Sequence, residues 1–331
     1  PLSHRNMIIN GAMQVAQRAT STAFAHDGTT YGYVLDRFNL QTNNIDTWDG
    51  TISQYSMTSA EYNTTGFANA LKFLTGTADA SISAAEFVRI DTKLEGQNIK
   101  HLQYGTASAK TTTLSFWVKS SVTGTYGLTM YSQCSQPRAL NKTYTIDTAD
   151  TWKKITLTIV GDTGQAHADD AQLGYLIVWS LASGSNYDSV NSTSWANYTT
   201  TNLNGGHAQD GVITTAGATF YLTGVQWEIG SVATPFEHRT FQDELLACQR
   251  YYYKLDAGSA HYVWGNEWGA DNNYRGNHRF PVVMRAAPTF SYFSGSTYGS
   301  TQTMDMRDWG IITYATGAGS TTGVWQVTAE M

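Results

Sequence analysis

The chain is 331 residues long, with 14% charged and 13% aromatic residues and a formal net charge of -6. Single cores rarely grow past about 250–300 residues, so two domains are expected, and the wealth of Gly, Ser, Thr, Asn and Tyr is the makeup of strands and loops rather than helices. With no basic run to neutralise phosphates and no apolar stretch of about 18 residues, neither nucleic acid nor membrane insertion is expected.

In chain order, residues 7–16 read as an extended connector. Runs of β-branched and aromatic residues bounded by Gly, Asn, Asp and Ser then predict strands over 38–41, 51–55, 70–75, 87–94, 111–119, 127–132, 142–146, 153–160, 173–180 and 219–229. Short strands in one series without alternating helices predict two packed antiparallel sheets, an all-β jelly-roll sandwich. Residues 182–217 break the pattern and carry Tyr187, Trp195, Tyr198, Asn202, Asn204, His207 and Asp210. Loops this long are uncommon in compact domains and are usually functional or pinned by neighbours. Two readings stand: a sugar platform, in which Trp195 and Tyr198 stack on sugar C–H faces while Asn and Asp bond hydroxyls, or a surface segment packed on a neighbouring subunit.

Along 221–229, Tyr221, Thr223, Val225, Trp227 and Ile229 alternate with Leu222, Gly224, Gln226 and Glu228, the period of a strand with one buried face. Gly230 ends it, and Pro235 turns the chain out of the sheet. Thr240 is placed to cap a helix through the N–H of Asp243, with Asp243 and Glu244 at its positive end. Phe241, Leu245, Cys248 and Tyr252 follow at helical spacing, which predicts a helix over 240–254. Two cysteines, Cys134 and Cys248, make no disulfide framework, and Cys248 reads as a small buried hydrophobe.

Residues 255–331 read as a smaller β domain with strands over 259–265, 279–284, 289–293, 302–307, 310–315 and 323–329. Between the first two lies the polar, glycine-rich GNEWGADNNYRGNH, a predicted loop carrying Trp268, Asp271, Asn272, Tyr274 and Arg275. Tyr, Trp and Arg give rigid contact area at modest entropic cost, so these five residues, with Trp195 and Tyr198, are the candidate ligand contacts. Trp264 reads as core. A β region of about 75 residues is marginal alone, which points to trimerisation or docking on the sandwich.

The segments TGVQWEIG (223–230), ATPFEHR (233–239) and ELLACQRYYYK (244–254) together resemble a stretch near the C-terminus of many tailed-bacteriophage fibre and receptor-binding proteins. The likeness extends to NMIINGAMQVAQR (6–18), DRF (36–38), LSFWVKS (114–120) and FPVVMRAAPT (280–289). TLSFWVKSS followed by TWKKITLTIVGD is similar, more loosely, to jelly-roll carbohydrate-binding modules. The resemblance implies a surface-exposed virion protein of a tail or head fibre. It implies a connector at 1–18 that meets other virion proteins, a jelly roll at 19–239, a linking helix at 240–254 and a tip at 255–331 that meets a host surface polysaccharide. It also implies a homotrimer, in which multivalency raises weak single-site affinity, and a Pro1 that begins a processed product or the distal part of a longer fibre.

Two other functions stand beside host attachment: a structural capsid, head-fibre or decoration protein, and a polysaccharide depolymerase. The latter needs paired carboxylates, and the candidates are Asp169 with Asp170, Glu228 with Glu237, and Asp305 with Asp308. The first pair reads as a turn, and Glu237 as a salt-bridge partner of Arg239 or Arg18. No HExxH, Ser-His-Asp order or phosphate loop is present, so a non-enzyme is expected. No cofactor is assigned. The carbohydrate-module resemblance implies a structural Ca²⁺, for which Asp27 and Asp188 offer oxygens, although solvated turns account for both equally well.

Overall fold

A computed structural model describes residues 4–25, 31–255, 266–267, 273–292, 302–316 and 325–331. The chain forms two compact units, Pro1–Arg239 and Thr240–Met331. In the first, the strands are β1 (Ser21–Phe24), β2 (Tyr31–Tyr33), β3 (Phe38–Asn43), β4 (Gly50–Ser56), β5 (Asn69–Thr75), β6 (Phe87–Glu95), β7 (Thr112–Ser120), β8 (Gly124–Ser132), β9 (Arg138–Ile146), β10 (Lys153–Ile159), β11 (Leu173–Ser183), β12 (Ala196–Asn197) and β13 (Thr219–Ile229). One sheet runs β1-β4-β5-β13-β7-β10, the other β12-β9-β8-β11-β6-β3-β2, and the pairings are antiparallel. Together they form the jelly-roll sandwich that the strand pattern predicts.

The core lies between the sheets. Leu114, Phe116 and Val118 of β7 share it with Leu40 of β3, Ile90 of β6 and Trp179 of β11. Phe116 meets Trp179 edge-on at 5.7 Å, and Trp48 stacks on Phe73 at 5.3 Å. Short helices fill the connections: α1 (Ser59–Thr65), α2 (Gly96–Ile99), α3 (Ser185–Asp188) and α4 (Gly211–Thr214). The first has a full capping box, Thr58 with Glu61, and ends at Gly66 in the left-handed region (φ 82°).

Strand β13 departs from the expected one-sided burial, since both faces are covered. Its register shifts between Thr223 and Gln226, and Gly224 takes φ 61°. This bulge reverses the phase of the side chains: Phe220 and Leu222 enter the core before it, Val225 and Trp227 after it. The other face is sealed by the 233–239 turn. Thr234 N–H donates to Glu228 Oε1 (2.8 Å), and Glu237 N–H donates to Gln226 Oε1 (2.7 Å). Glu237, expected to pair with Arg239 or Arg18, is held instead by the N-terminal segment. Its carboxylate accepts the Asn6 N–H (2.7 Å), while Arg18 faces Asp36 at 3.6 Å.

Residues 5–16 are no free connector, because Ile8, Met13 and Val15 belong to the sandwich core. Met7 N–H donates to Trp227 O and Val225 N–H to Gly11 O, both at 2.9 Å, so the segment takes over along β13 where its pairing with β5 ends at Leu222.

The second unit opens with α5 (Phe241–Gln249), capped by Thr240 through the Asp243 N–H at 3.2 Å as its sequence predicts. The helix stops at Gln249. Tyr252 is not on its stripe but in β14 (Tyr252–Leu255), where it pairs with Thr328. Cys248 is buried, whereas Phe241, expected on the same apolar stripe, is 55% exposed. The remaining strands are β15 (Asn266–Glu267), β16 (Asn273–Arg279), β17 (Thr289–Tyr292), β18 (Gln302–Arg307), β19 (Gly310–Thr316) and β20 (Trp325–Thr328), in sheets β14-β20-β17 and β15-β16-β19-β18. Residues 280–284, expected as a strand, are irregular, and Phe280 and Met284 instead anchor a small core with Ile311 and Val327. The strand expected over 259–265, with Trp264, lies outside the described residues.

Candidate functional site

Alternation along the seven-stranded sheet sends one set of side chains into the core and the other outward. Because Phe38, Leu40, Ile90, Ile177 and Trp179 point inward, their neighbours Asn39, Gln41, Arg89, Asp91, Val178 and Ser180 share the outer face. Register aligns them across strands: Asp91 opposite Asn39 and Val178, and Arg89 opposite Gln41 and Ser180.

Of the segment expected at the surface, 182–217, residues 185–201 are exposed or half-buried and the part around 202–207 is pinned to this face. Asn202, Asn204, Leu203 and His207 are buried. Asn141 of β9 donates through Nδ2 to Asn202 O (2.9 Å) and accepts the Ser192 N–H (2.7 Å), while Gly127 N–H donates to His207 Nδ1 (3.2 Å). The segment packs on its own sheet because Asn141 of β9 satisfies its backbone and His207 in turn satisfies the backbone of β8.

Beneath the tyrosines on this face, Arg89 and Asp91 form a buried floor. Arg89 is 7% exposed and Asp91 0%. Arg89 Nη2 donates to Gln41 Oε1 (2.6 Å), the guanidinium lies 5.0 Å over Phe87, and Nε stands 3.6 Å from Asp91 Oδ2, beyond hydrogen-bond reach. Asn39 Nδ2 donates to Asp91 Oδ2 (3.2 Å). Arg89 Nε and Nη1, Asp91 Oδ1, Asn39 Oδ1 and Ser180 Oγ are buried without a protein hydrogen-bond partner. Buried polar groups in folded proteins are nearly always paired, so five unpaired buried atoms on one sheet face set this cluster apart from the rest of the sandwich.

Tyrosines ring this floor. Tyr131 and Tyr198 meet edge-on at 4.9 Å, and Tyr187 stands edge-on to Phe87 at 4.9 Å, its hydroxyl accepting from Asn43 Nδ2 (3.0 Å). Tyr31 and Tyr33 meet at 5.8 Å, and Lys93 donates to the Tyr31 hydroxyl from a point 4.4 Å over its ring. Burial pushes the Tyr131 hydroxyl up to about 12, with Tyr198 and Cys134 adding to the effect, so the ring stays a neutral hydrogen-bonding aromatic. Burial also raises the Asp91 carboxyl above its ordinary value, against the pull of Arg89 and Lys93. The same burial lowers Arg89, which remains cationic because arginine does not deprotonate in proteins.

Of the seven candidate ligand contacts, Tyr198 is the one that the described residues place at this floor. Trp195 packs against the core instead, its indole N–H donating to Val160 O (2.7 Å) and its ring edge-on to Tyr175 at 5.8 Å. Trp268, Asp271 and Asn272 lie outside the described residues. Tyr274 and Arg275 fall in β16, opposite Ala315 and Tyr314, rather than in the expected loop. Arg89, Asp91, Asn39 and Ser180 are not among the sequence candidates; the Arg-x-Asp spacing in FVRIDTKLE puts two of them on one strand face but does not by itself mark a site. The paired carboxylates considered for catalysis are held elsewhere: Glu228 by Thr234, Glu237 by Asn6, and Asp170 by the Gln172 N–H (3.0 Å) in an exposed turn. Of the calcium candidates, Asp27 lies outside the described residues, and Asp188 is raised by burial, with His207 opposing.

No protein-family model matches the chain, and no curated protein sequence does. Among solved structures it is similar to the enzymatically active domain of tailspike protein 4 of bacteriophage CBA120, at 12% identity and TM-score 0.34 over 68% of this chain and 22% of that one. It is similar to a CBM4 module at 11% identity and TM-score 0.30, over 67% of this chain and 98% of the module. The CBM22-1 xylan-binding domain from Paenibacillus barcinonensis gives 11% identity and TM-score 0.31, over 69% and 96%.

Proposed function

We propose that the chain is a non-catalytic, homotrimeric phage fibre protein, exposed on the virion, that adsorbs to a host surface polysaccharide through the outer face around Arg89. The observation that carries this reading is the accessible group Tyr131, Tyr198 and Tyr31, with Lys93 over the Tyr31 ring, set above the buried Arg89 and Asp91. A sugar has the matching chemistry: hydroxyls that both donate and accept, and C–H faces that lie against aromatic rings. The sequence islands shared with phage fibres support the virion setting.

Arg37, Arg89 and Lys93 all act on the Asp91 carboxylate. Cations beside this face suit an acidic sugar, whose carboxylate can take two guanidinium N–H groups at once. The test is binding of the full chain to an array of neutral and uronate-containing bacterial polysaccharides, beside Arg89→Met, Tyr198→Ala and Trp268→Ala. Loss of a charged hydrogen bond costs about 1.5–3 kcal/mol, so Arg89→Met should weaken binding roughly 10- to 100-fold. Unchanged binding by Arg89→Met and Tyr198→Ala, with loss in Trp268→Ala, would move the site to the second unit.

A further inference from the structure

The connection between β3 and β4 carries Asp46, and that between β5 and β6 carries Asp79 and Glu86. One carboxylate oxygen from each lies within 4.8 Å of the other two. Asp79 and Glu86 are each only 4% exposed, whereas Asp46 faces solvent. Backbone amides hold one oxygen of each buried carboxylate: Ser81 N–H donates to Asp79 Oδ1 (3.1 Å) and Ser83 N–H to Glu86 Oε2 (2.6 Å). Asp79 Oδ2 is buried with no hydrogen-bond partner. Among the described residues, no Lys, Arg or His forms an ion pair with any of the three.

Three carboxylates gathered without a cation repel one another, and a buried carboxylate oxygen left unpaired adds a desolvation cost. We propose that Asp46, Asp79 and Glu86 bind one Ca²⁺. An all-oxygen carboxylate set selects a hard cation, and oxygens spread over this distance fit an ion that holds its ligands at roughly 2.3–2.6 Å. Mg²⁺ keeps most of its waters and usually takes only one or two carboxylates, so it fits less well. The site goes beyond the glycan reading and does not depend on it. Its consequence is mechanical: Asp79 N–H donates to Ile213 O (3.2 Å) and Gly184 N–H to Glu86 O (2.8 Å), so the ion ties two sandwich loops at the root of the segment covering the outer face.

The test uses the full chain, stripped with chelator and titrated with CaCl₂ by calorimetry, followed by thermal melts. One Ca²⁺ should bind per chain, and a hundredfold excess over Kd should raise Tm by roughly 5–10 °C. Asp79→Asn should weaken Ca²⁺ binding at least about tenfold, as should Asp46→Asn, whose exposed position leaves the fold intact. Absence of saturable binding in the wild type, or wild-type affinity in both variants, overturns the site. An equal Tm rise with MgCl₂ alone overturns the choice of cation.

Discussion

At the scale of single residues, Glu61 concentrates more interactions than any feature of the sequence announces. It sits in the first turn of α1 and accepts from the Thr58 N–H (3.0 Å), Tyr55 Oη (3.0 Å), Lys119 Nζ (2.6 Å) and Trp152 Nε1 (3.1 Å). Burial opposes its charge, but the donors from Lys119, Thr58 and Trp152 outweigh it and hold the carboxyl at about 2, down from 4.5. The Tyr55 hydroxyl, raised first by burial and then by its bond to Glu61, goes up to about 12. A carboxyl depressed in the folded state stabilises fully above its unfolded value and loses that contribution as pH falls through the folded one. Glu61→Gln should therefore melt below the wild type at pH 7, and the gap should close between pH 4.5 and 2. Circular-dichroism melts across that range check it; a gap that stays constant would show that the charge contributes nothing. The Thr58-x-x-Glu61 capping box was readable, but a seven-residue helix between two strands carries too short a periodicity to outweigh its surroundings.

At the scale of elements, the N-terminal segment and β13 act as one piece. Asn6 donates through Nδ2 to Val225 O (3.1 Å) and accepts through Oδ1 from the Trp227 N–H (3.1 Å), while Arg239 donates to Asn6 O. These bonds join residues more than 200 apart in sequence and satisfy backbone groups of β13 that lie beyond the end of its pairing with β5. Asn10 closes the loop behind them, accepting the Val15 N–H (2.9 Å) and donating to Asp36 O (2.9 Å). The separate islands NMIINGAMQ, DRF and TGVQWEIG…FEHR are thus a single assembled junction, which no periodicity within any one of them reveals. At Gly11 a Cβ would stand 2.1 Å from Val225 O. Gly11→Ala must therefore push the segment off β13, and a cost of about 2–3 kcal/mol is expected from overpacking and lost hydrogen bonds. Urea unfolding at unchanged m-value measures it, and a change below about 0.5 kcal/mol would show that the segment is not part of the cooperative unit.

At the scale of the whole molecule, ten predicted strands formed because each was a β-rich run bounded by turn residues, a local signal. The outer face around Arg89 was not legible, since its members come from β3, β6 and β11 and meet only through register. Within each strand they read as ordinary outward positions. Assembly poses the same kind of question, as it depends on surfaces that sequence does not place together. Val160, Ile229 and Val232 are 51%, 48% and 74% exposed. They gather at one end of the six-stranded sheet, where Thr112 pairs with both Ile159 and Ile229, and Thr158 Oγ1 donates to Ser231 O (3.3 Å). Large apolar side chains clustered in water mark an interaction surface more often than isolated ones do. The prediction is that the proposed trimer uses this end of the sheet as its interface. Val232→Asp, at the most exposed of the three, leaves the sandwich core untouched while placing like charges together around the three-fold axis. Light scattering should then report monomer where the wild type reports trimer, with the monomer's near-UV spectrum intact. A variant that remains trimeric removes this end of the sheet from the interface, and a wild type that is monomeric at micromolar concentration removes the trimer.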